Sequence, residues 1–417
     1  MAALPRRIGL GGAILLSFNG AVGAAIFALP ATLAADFDAW SPWLFPLVAL
    51  ASLLVVVPFC RSIAAFPESG GPATYGRAFG RLAGFELGWI YYIARAAAFA
   101  ANANVLTAYL ARWWSGADEG ILRAAILLAV PALLALANLS GMKRALGLLG
   151  GLTLLKTLPL IVAGVAALVL FGPLPAPGPL PQLSSVEATL LVVFYAFVGF
   201  ENAVVPAGET RNSSVTLPRA ILLTIAATAM LYLLVQLAFV AAFPGGAAVT
   251  DAPLIDLGQR VAGPHGAAVL TLAAVSSLTG NLHGIMASTP RVTYAMATRG
   301  DLPGWFGRVS VRLESPSNSI LFLALLAAAL AVSGSFVWLA VVSTLARMIV
   351  YGVTIAALPR VAGRRLSAGQ WASAAVGILV CMLAASQADL AAWGTLGALA
   401  VAGLLLYLPM SRRSSPD

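Results

Sequence analysis

Residues 10–33 read LGGAILLSFNGAVGAAIFALPATL, and the reading of this stretch decides the fold. No charged residue lies between Arg7 and Asp36, so the run exceeds the ~20 apolar residues that a membrane-spanning helix needs. Its middle is nevertheless a poor helix. Ser17, Asn19, Gly20 and Gly23 stand together at what would be bilayer depth, where a glycine costs about 1 kcal/mol of helix propensity against alanine. Polar, glycine-rich backbone inside a membrane is tolerated only where it is buried in protein or lines a wet cavity. Two readings follow. Either the helix is interrupted and its freed N–H and C=O groups bind a solute, or the glycines form a seam for close helix packing.

Composition sets the frame around that stretch. The 417 residues are 60% hydrophobic and 9% charged, against roughly 25% charged in a soluble domain. An all-α polytopic membrane protein without a sizeable soluble domain is expected. The first apolar run is too long for the h-region of a signal peptide, so it is read as a retained first helix. Hydropathy places spans near 10–34, 42–65, 84–110, 121–139, 147–171, 187–208, 219–243, 266–297, 318–334, 336–358, 371–387 and 389–409, which makes about twelve transmembrane helices. The proline-rich connection 172–185 reads as an extended external linker.

Charge placement orients these spans. Arg6, Arg7, Arg61, Arg77, Arg81, Lys143, Arg144, Arg291, Arg299 and Arg360 fall on one set of connections, and Asp36, Asp38, Asp118, Glu119, Asp251 and Asp256 fall on the other. The positive-inside rule makes the first set cytoplasmic, with both termini, in a multi-pass protein of the cytoplasmic membrane. The net charge of +9 is then a topology signal, and no nucleic acid partner is expected. Cys60 and Cys381 both lie in apolar runs, so neither a disulfide framework nor a metal site is expected. P-loop, dinucleotide and hydrolase signatures are missing, which argues against an enzyme and against a bound cofactor.

A second interruption lies in the sixth span, VVFYAFVGFENAVVPAGE at 192–209. Gly199 sits among Tyr195, Phe197 and Phe200, with Glu201 and Asn202 following. A carboxylate at bilayer depth costs about 2.5–3.5 kcal/mol on insertion scales and marks a functional site by default. Glycine-containing breaks at corresponding positions of two halves point to a transporter site at the interface of inverted repeats. Half-helix N-termini offer N–H groups to a carboxylate and freed carbonyls accept from an ammonium, which suits an amino acid. Lys156 is isolated in the apolar fifth span and reads as a substitute for a bound cation or as a proton carrier. Arg347 in the tenth span reads as structural, and Arg95 in the third has no assignable partner. Asn102, Asn281 and His283 read first as helix glue and only second as ligands.

The motifs together resemble the amino acid–polyamine–organocation superfamily of transporters over nearly the whole chain. Gly23-Ala24-Ala25-Ile26-Phe27 is similar to that family's first-helix G-S-G-I-F, and Pro67-Glu68-Ser69-Gly70-Gly71 to the loop after its second helix. Ala196 to Glu201, Glu209-Thr210-Arg211-Asn212 and Thr289 to Pro303 resemble its sixth helix, the following loop and the exit of its eighth helix. The resemblance implies a LeuT-type fold: repeats at 9–171 and 187–358, two additional helices at 370–409, discontinuous helices 1 and 6, and alternating access. It implies that the main chain around Gly20, Gly23, Ala24, Ala25 and Ile26 holds the substrate carboxylate. The carbonyls of Phe197, Val198, Gly199 and Phe200 would hold the amino group. Tyr195 would gate the site, and Glu201 stands where an arginine–agmatine antiporter of the family has a glutamate. Lys156 matches the lysine that replaces a sodium ion in several members. One departure is plain: Ala24 and Ala25 replace a serine and a glycine, adding methyl groups to the pocket.

The expected activity is secondary active transport of a neutral amino acid or related amine, linked to protons through Lys156 and Glu201 or working by exchange, without sodium. Alternatives are an amino acid exporter, a cationic amino acid or polyamine antiporter and, more remotely, a transporter-like sensor or a channel. The partners expected are the small-molecule substrate, protons and the lipid bilayer. Oligomeric state cannot be read from the sequence.

Overall fold

Helix formation follows the apolar spans and fails where residues at bilayer depth are small and polar. The structure is a computed structural model that describes residues 5–172, 178–179, 193–194, 196–246, 252–310, 314–333, 336–361 and 366–413. Helix α1 (Leu10–Ala21) ends at Val22, whose extended backbone breaks the ladder, and α2 (Ala25–Phe37) resumes three residues later. The first span is therefore discontinuous, as expected. The next helices are α3 (Ser41–Ile63), α4 (Arg81–Leu110), α5 (Gly120–Leu139) and α6 (Met142–Phe171). The sixth span is irregular where it is described: turns at 196–199 lead into 3-10 turns at Phe200–Ala203 and Ala207–Glu209. Its first half, most of the expected linker at 172–185, and Tyr195 lie outside the described residues.

The second half of the chain continues with α7 (Ser213–Ala242), α8 (Pro253–Ser288), α9 (Pro290–Thr298), α10 (Ser317–Ser333), α11 (Phe336–Ala356), α12 (Ala368–Ser386) and α13 (Leu390–Arg413). Helix α8 begins ahead of the expected eighth span. Its ladder kinks at Ala262 and Gly263, the latter at φ 60°, directly before Pro264. Residues 253–261 thus form a separate helical segment ahead of the eighth span. Ser367 and Gln370 form a reciprocal capping box that starts α12.

Among the described residues, eight helical stretches are long and apolar enough to cross a membrane, and Leu10–Ala21 and Ser317–Ser333 are shorter apolar helices. Large apolar side chains such as Leu133, Leu154, Leu158, Val169, Leu379 and Leu405 are exposed, while Asn19, Arg95, Lys156, Glu201 and His283 are buried. That distribution reverses the order of a water-soluble protein and fits a bilayer around the outside. Inside, α6 packs on α8, α4 on α11, and α3 and α1 both pack on α7.

The basic face is tied together by ion pairs. Arg81 and Arg77 both meet Asp301, at 2.6 and 3.3 Å, and Arg299 meets Glu68 at 3.0 Å. Arg291 forks onto Glu209 at 2.7 and 3.3 Å, both buried. The N-terminal segment straps across this face: Ile8 donates to the Glu209 carbonyl, Arg211 N–H donates to the Ile8 carbonyl (both 2.9 Å), and Arg7 pairs with Glu314 at 2.6 Å.

Candidate functional site

The two broken spans meet. Gly20 and Gly199 approach so closely that a methyl group added to either would strike the carbonyl oxygen of the other, and Gly199 also holds φ at 117°. Only glycine satisfies both demands at position 199. The Ser17 hydroxyl donates to the Phe200 carbonyl at 2.9 Å, stitching α1 to the 3-10 turn. The glycines thus serve close packing and interruption at once.

Freed backbone groups around the first break find specific partners. The Lys156 ammonium donates to the Val22 carbonyl at 2.7 Å and lies 5.2 Å from the centre of the Phe18 ring. Ser277 donates to the Gly23 carbonyl at 3.2 Å. Asn281 donates to the Asn19 and Gly20 carbonyls, both at 2.9 Å, and accepts from Asn102 at 3.3 Å. Helix C-terminal carbonyls need such donors when water is excluded. Phe27 N–H bonds to the Ala24 carbonyl, but the N–H groups of Gly23, Ala24, Ala25 and Ile26 have no acceptor among the described residues. Across from them, Gly199 O accepts from Asn202 N–H and Phe200 O from Ser17, whereas the carbonyls of Phe197 and Val198 accept nothing among the described residues.

Between these walls lies a cavity of about 300 Å³, at the small end of the range for small-molecule sites. Gly20, Gly23, Ala24, Ala25, Val198, Asn102 and Asn281 line it, and so do Arg95 and Arg347. Ile26, Phe197, Gly199, Phe200, Glu201, Lys156 and His283 do not. Phe200 stacks instead on Tyr351 and meets Phe59 edge-on, and Phe197 leans on Tyr232.

Glu201 sits behind the wall in a buried polar cluster. Arg95 approaches its Oε1 at 3.4 Å and Arg347 approaches the same oxygen at 3.7 Å. Tyr351 donates to Oε2, and Arg95 also donates to Asn202 Oδ1 at 2.7 Å. Glu201 is therefore not a lone carboxyl among apolar side chains, as its sequence neighbours imply; spans three and ten supply its partners. Lys156 pairs with the first break and forms no bridge to Glu201. His283 is fixed as helix glue. Its Nε2 donates to the Ala145 carbonyl at 2.8 Å, so its Nδ1 must accept from Asn138 at 3.1 Å, a neutral tautomer held on both sides.

Sequence reasoning missed Arg95 and Arg347 as cavity residues. Arg95 and Asn102 are seven apart on α4, two helical turns on one face, and Arg347 and Tyr351 are four apart on α11. That spacing was the available signal. A wider pocket of about 450 Å³ on the basic face, lined by Arg7, Lys143, Arg144, Glu209 and Glu314, lies apart from both breaks.

Comparison with known proteins agrees with this architecture. The sequence profile of a family described as amino acid permease matches residues 8–387. An uncharacterised transporter of Mycobacterium tuberculosis is 30% identical over 340 residues, covering 79% of this chain and 74% of the relative. The vacuolar cationic amino acid transporter 4 of Arabidopsis thaliana is 31% identical over 149 residues, 36% of this chain and 25% of that protein. Among solved structures, that of MhsT in complex with L-phenylalanine superposes with a TM-score of 0.61 over 92% of this chain and all of that one, at 14% identity. The likeness establishes an all-α LeuT-type fold.

Proposed function

Because the chain belongs to the amino acid permease family, we propose that it is a secondary active transporter that carries an amino acid across the cytoplasmic membrane by alternating access. The observation that carries this reading is the cavity between two broken spans, with unused N–H groups on one wall and an unused carbonyl on the other. The N–H groups of Gly23 to Ala25, at the positive end of α2, suit the substrate carboxylate. The Val198 carbonyl suits its ammonium. Lys156 already fills the first break with a positive charge, which supports transport without sodium and leaves protons or exchange as the driving partner. Breaks in the first and sixth spans support repeats at 9–171 and 187–358, with 370–409 as two additional helices. Tyr195, outside the described residues, keeps its expected part as a gate.

Assigning the basic face to the cytoplasm follows the positive-inside rule. The ion pairs and the N-terminal strap then hold the cytoplasmic side shut, while the cavity lining continues along α2 to Ala28 and Leu29 on the opposite side. One expectation loses part of its basis. The expected neutral substrate and proton-coupled Glu201 draw on apolar sequence neighbours and on the pocket narrowed by Ala24 and Ala25; Arg95 and Arg347 remove the first of these supports and leave the second. The same two guanidiniums oppose a cationic side chain in the cavity, so a cationic amino acid or polyamine antiporter fits less well.

Counterflow in proteoliposomes is the test. Preloaded vesicles should accumulate a labelled amino acid in trans-stimulated fashion, equally in sodium and choline buffers. Binding without flux would make the protein a sensor, flux without trans-stimulation would make it a channel, and a strict sodium requirement would overturn the role of Lys156.

A further inference from the structure

Two buried amides, one beside each break, have their orientation fixed by their neighbours. Asn19, on α1, donates from Nδ2 to the Leu15 carbonyl at 2.9 Å and to Thr153 Oγ1 at 2.7 Å. Thr153 gives its own hydrogen to the Leu149 carbonyl at 2.6 Å, so it can only accept from Asn19, and that amide cannot be turned over. Asn202, in the sixth span, accepts at Oδ1 from Arg95 at 2.7 Å. A guanidinium only donates, so this amide is settled as well. The ends left over are complementary. Asn19 Oδ1 has no donor and Asn202 Nδ2 no acceptor among the described residues, although both side chains are wholly buried. Buried amide groups are almost always hydrogen-bonded.

Both free ends face one stretch of α8. A methyl group on Gly280 would come within 2.7 Å of Asn19 Oδ1, whereas one on Gly284 would lie 3.4 Å from Asn202 Nδ2 and 3.9 Å from Asn19 Cβ, ordinary contact distances. The two glycines stand four residues apart on one face of the helix. Seats one turn apart are separated by about 5.4 Å, which a single small molecule spans with hydrogen bonds of about 2.8 Å on either side. Neither amide and neither glycine lines the cavity of about 300 Å³, so this seat lies behind the cavity wall.

We infer that a water molecule binds against Gly284, donating to Asn19 Oδ1 and accepting from Asn202 Nδ2, and that it ties the first broken span to the sixth. The chemistry selects water. A cation would meet the Asn202 N–H groups, and an anion would meet Asn19 Oδ1. The ligand must give one hydrogen, take another and fit a methyl-sized space between polar partners. It closes a run of hydrogen bonds: Asn19 donates to Thr153 of α6, Arg95 of α4 donates to Asn202, and Arg95 and Tyr351 of α11 both reach Glu201. Members of such a run strengthen one another. The run passes beside the contact of Gly20 with Gly199, since a methyl group on Gly20 would also meet Asn202 Nδ2, at 2.8 Å. The inference goes beyond the transporter reading and does not depend on it.

Gly284→Ala and Gly284→Ser, made in the purified full-length protein, separate this site from simple packing. Alanine fits the space and is the better helix former, but its methyl group neither donates nor accepts. Serine is larger and carries a hydroxyl that does both. Gly284→Ala should displace the water and melt below wild type, and Gly284→Ser should melt above Gly284→Ala by at least about 2 °C, the scale of one hydrogen bond in a chain of this size. In an Asn19→Leu background, where the acceptor is gone, the advantage of serine should vanish. Helix propensity and space alone give the opposite order. An alanine variant at or above wild type, a serine variant below alanine, or a serine advantage that survives Asn19→Leu would each overturn the inference. A density map that resolves other buried waters and shows none between Asn19 and Asn202 would overturn it too. The Gly284 pair and the map decide the matter even where Asn19→Leu does not fold. None of these readouts uses transport, so counterflow remains a separate test of the transporter reading.

Discussion

Replacing Lys156 with methionine probes the first break directly. The ammonium donates to Val22 O at 2.7 Å and sits against the Phe18 ring; methionine keeps the stem and removes both interactions. A hydrogen bond from a charged donor contributes about 1.5–3 kcal/mol. At 1.4 kcal/mol per factor of ten, the interrupted geometry loses about 10- to 150-fold in population against alternatives that close the ladder. Only the longer contact from Ser277, 3.4 Å, remains on that carbonyl. Melting temperature is a poor readout here, because the cost of burying the ammonium disappears along with its hydrogen bond. Initial rates of counterflow in proteoliposomes, normalised to protein incorporated, report the break itself. A drop of at least tenfold is expected. A Lys156→Met protein that transports within twofold of wild type would refute the reasoning.

Other perturbations separate packing from function. Gly199→Ala should abolish counterflow and reduce the yield of monodisperse protein, because its methyl meets the Gly20 carbonyl at a backbone angle alanine avoids. Glu209→Gln strands the buried Arg291 guanidinium and should cost about 3–5 kcal/mol, read as a lowered melting temperature that a paired Glu209→Leu, Arg291→Met replacement partly restores. His283→Phe should destabilise the protein by removing the hydrogen bonds to Asn138 and the Ala145 carbonyl, yet relative affinities across a substrate panel should stay unchanged.

Residues 10–33 disclosed the interruption because serine, asparagine and glycine at bilayer depth conflict with a continuous helix, and the conflict is local. Lys156 was conspicuous for the same reason, although its acceptor, 134 positions away, was not. Glu201 shows where local reading stops. Its sequence neighbours are apolar, but Arg95 lies 106 positions upstream and Arg347 arrives from α11, so its electrostatic environment is a property of the fold. Both arginines were visible as buried charges, and only packing shows that they face one cavity. The kink at Ala262 and Gly263 falls at the Gly263-Pro264 pair, just ahead of the expected start at 266, whereas the helical segment at 253–261 is too short for a hydropathy window to detect. Tyr195 lies outside the described residues, so its gating role rests on resemblance alone.

The ties across the basic face differ greatly in their access to water. Arg7 and Glu314 keep 47% and 44% of their side-chain surface exposed, whereas Arg291 and Glu209 keep 2% each. Mobile ions reach the outer pairs freely, and the distance over which they mask a charge shrinks from about 10 Å at 0.1 M salt to about 3 Å at 1 M. The inner pair feels little of this. Dissolved electrolyte on that side should therefore loosen the N-terminal strap while leaving the inner pair in place.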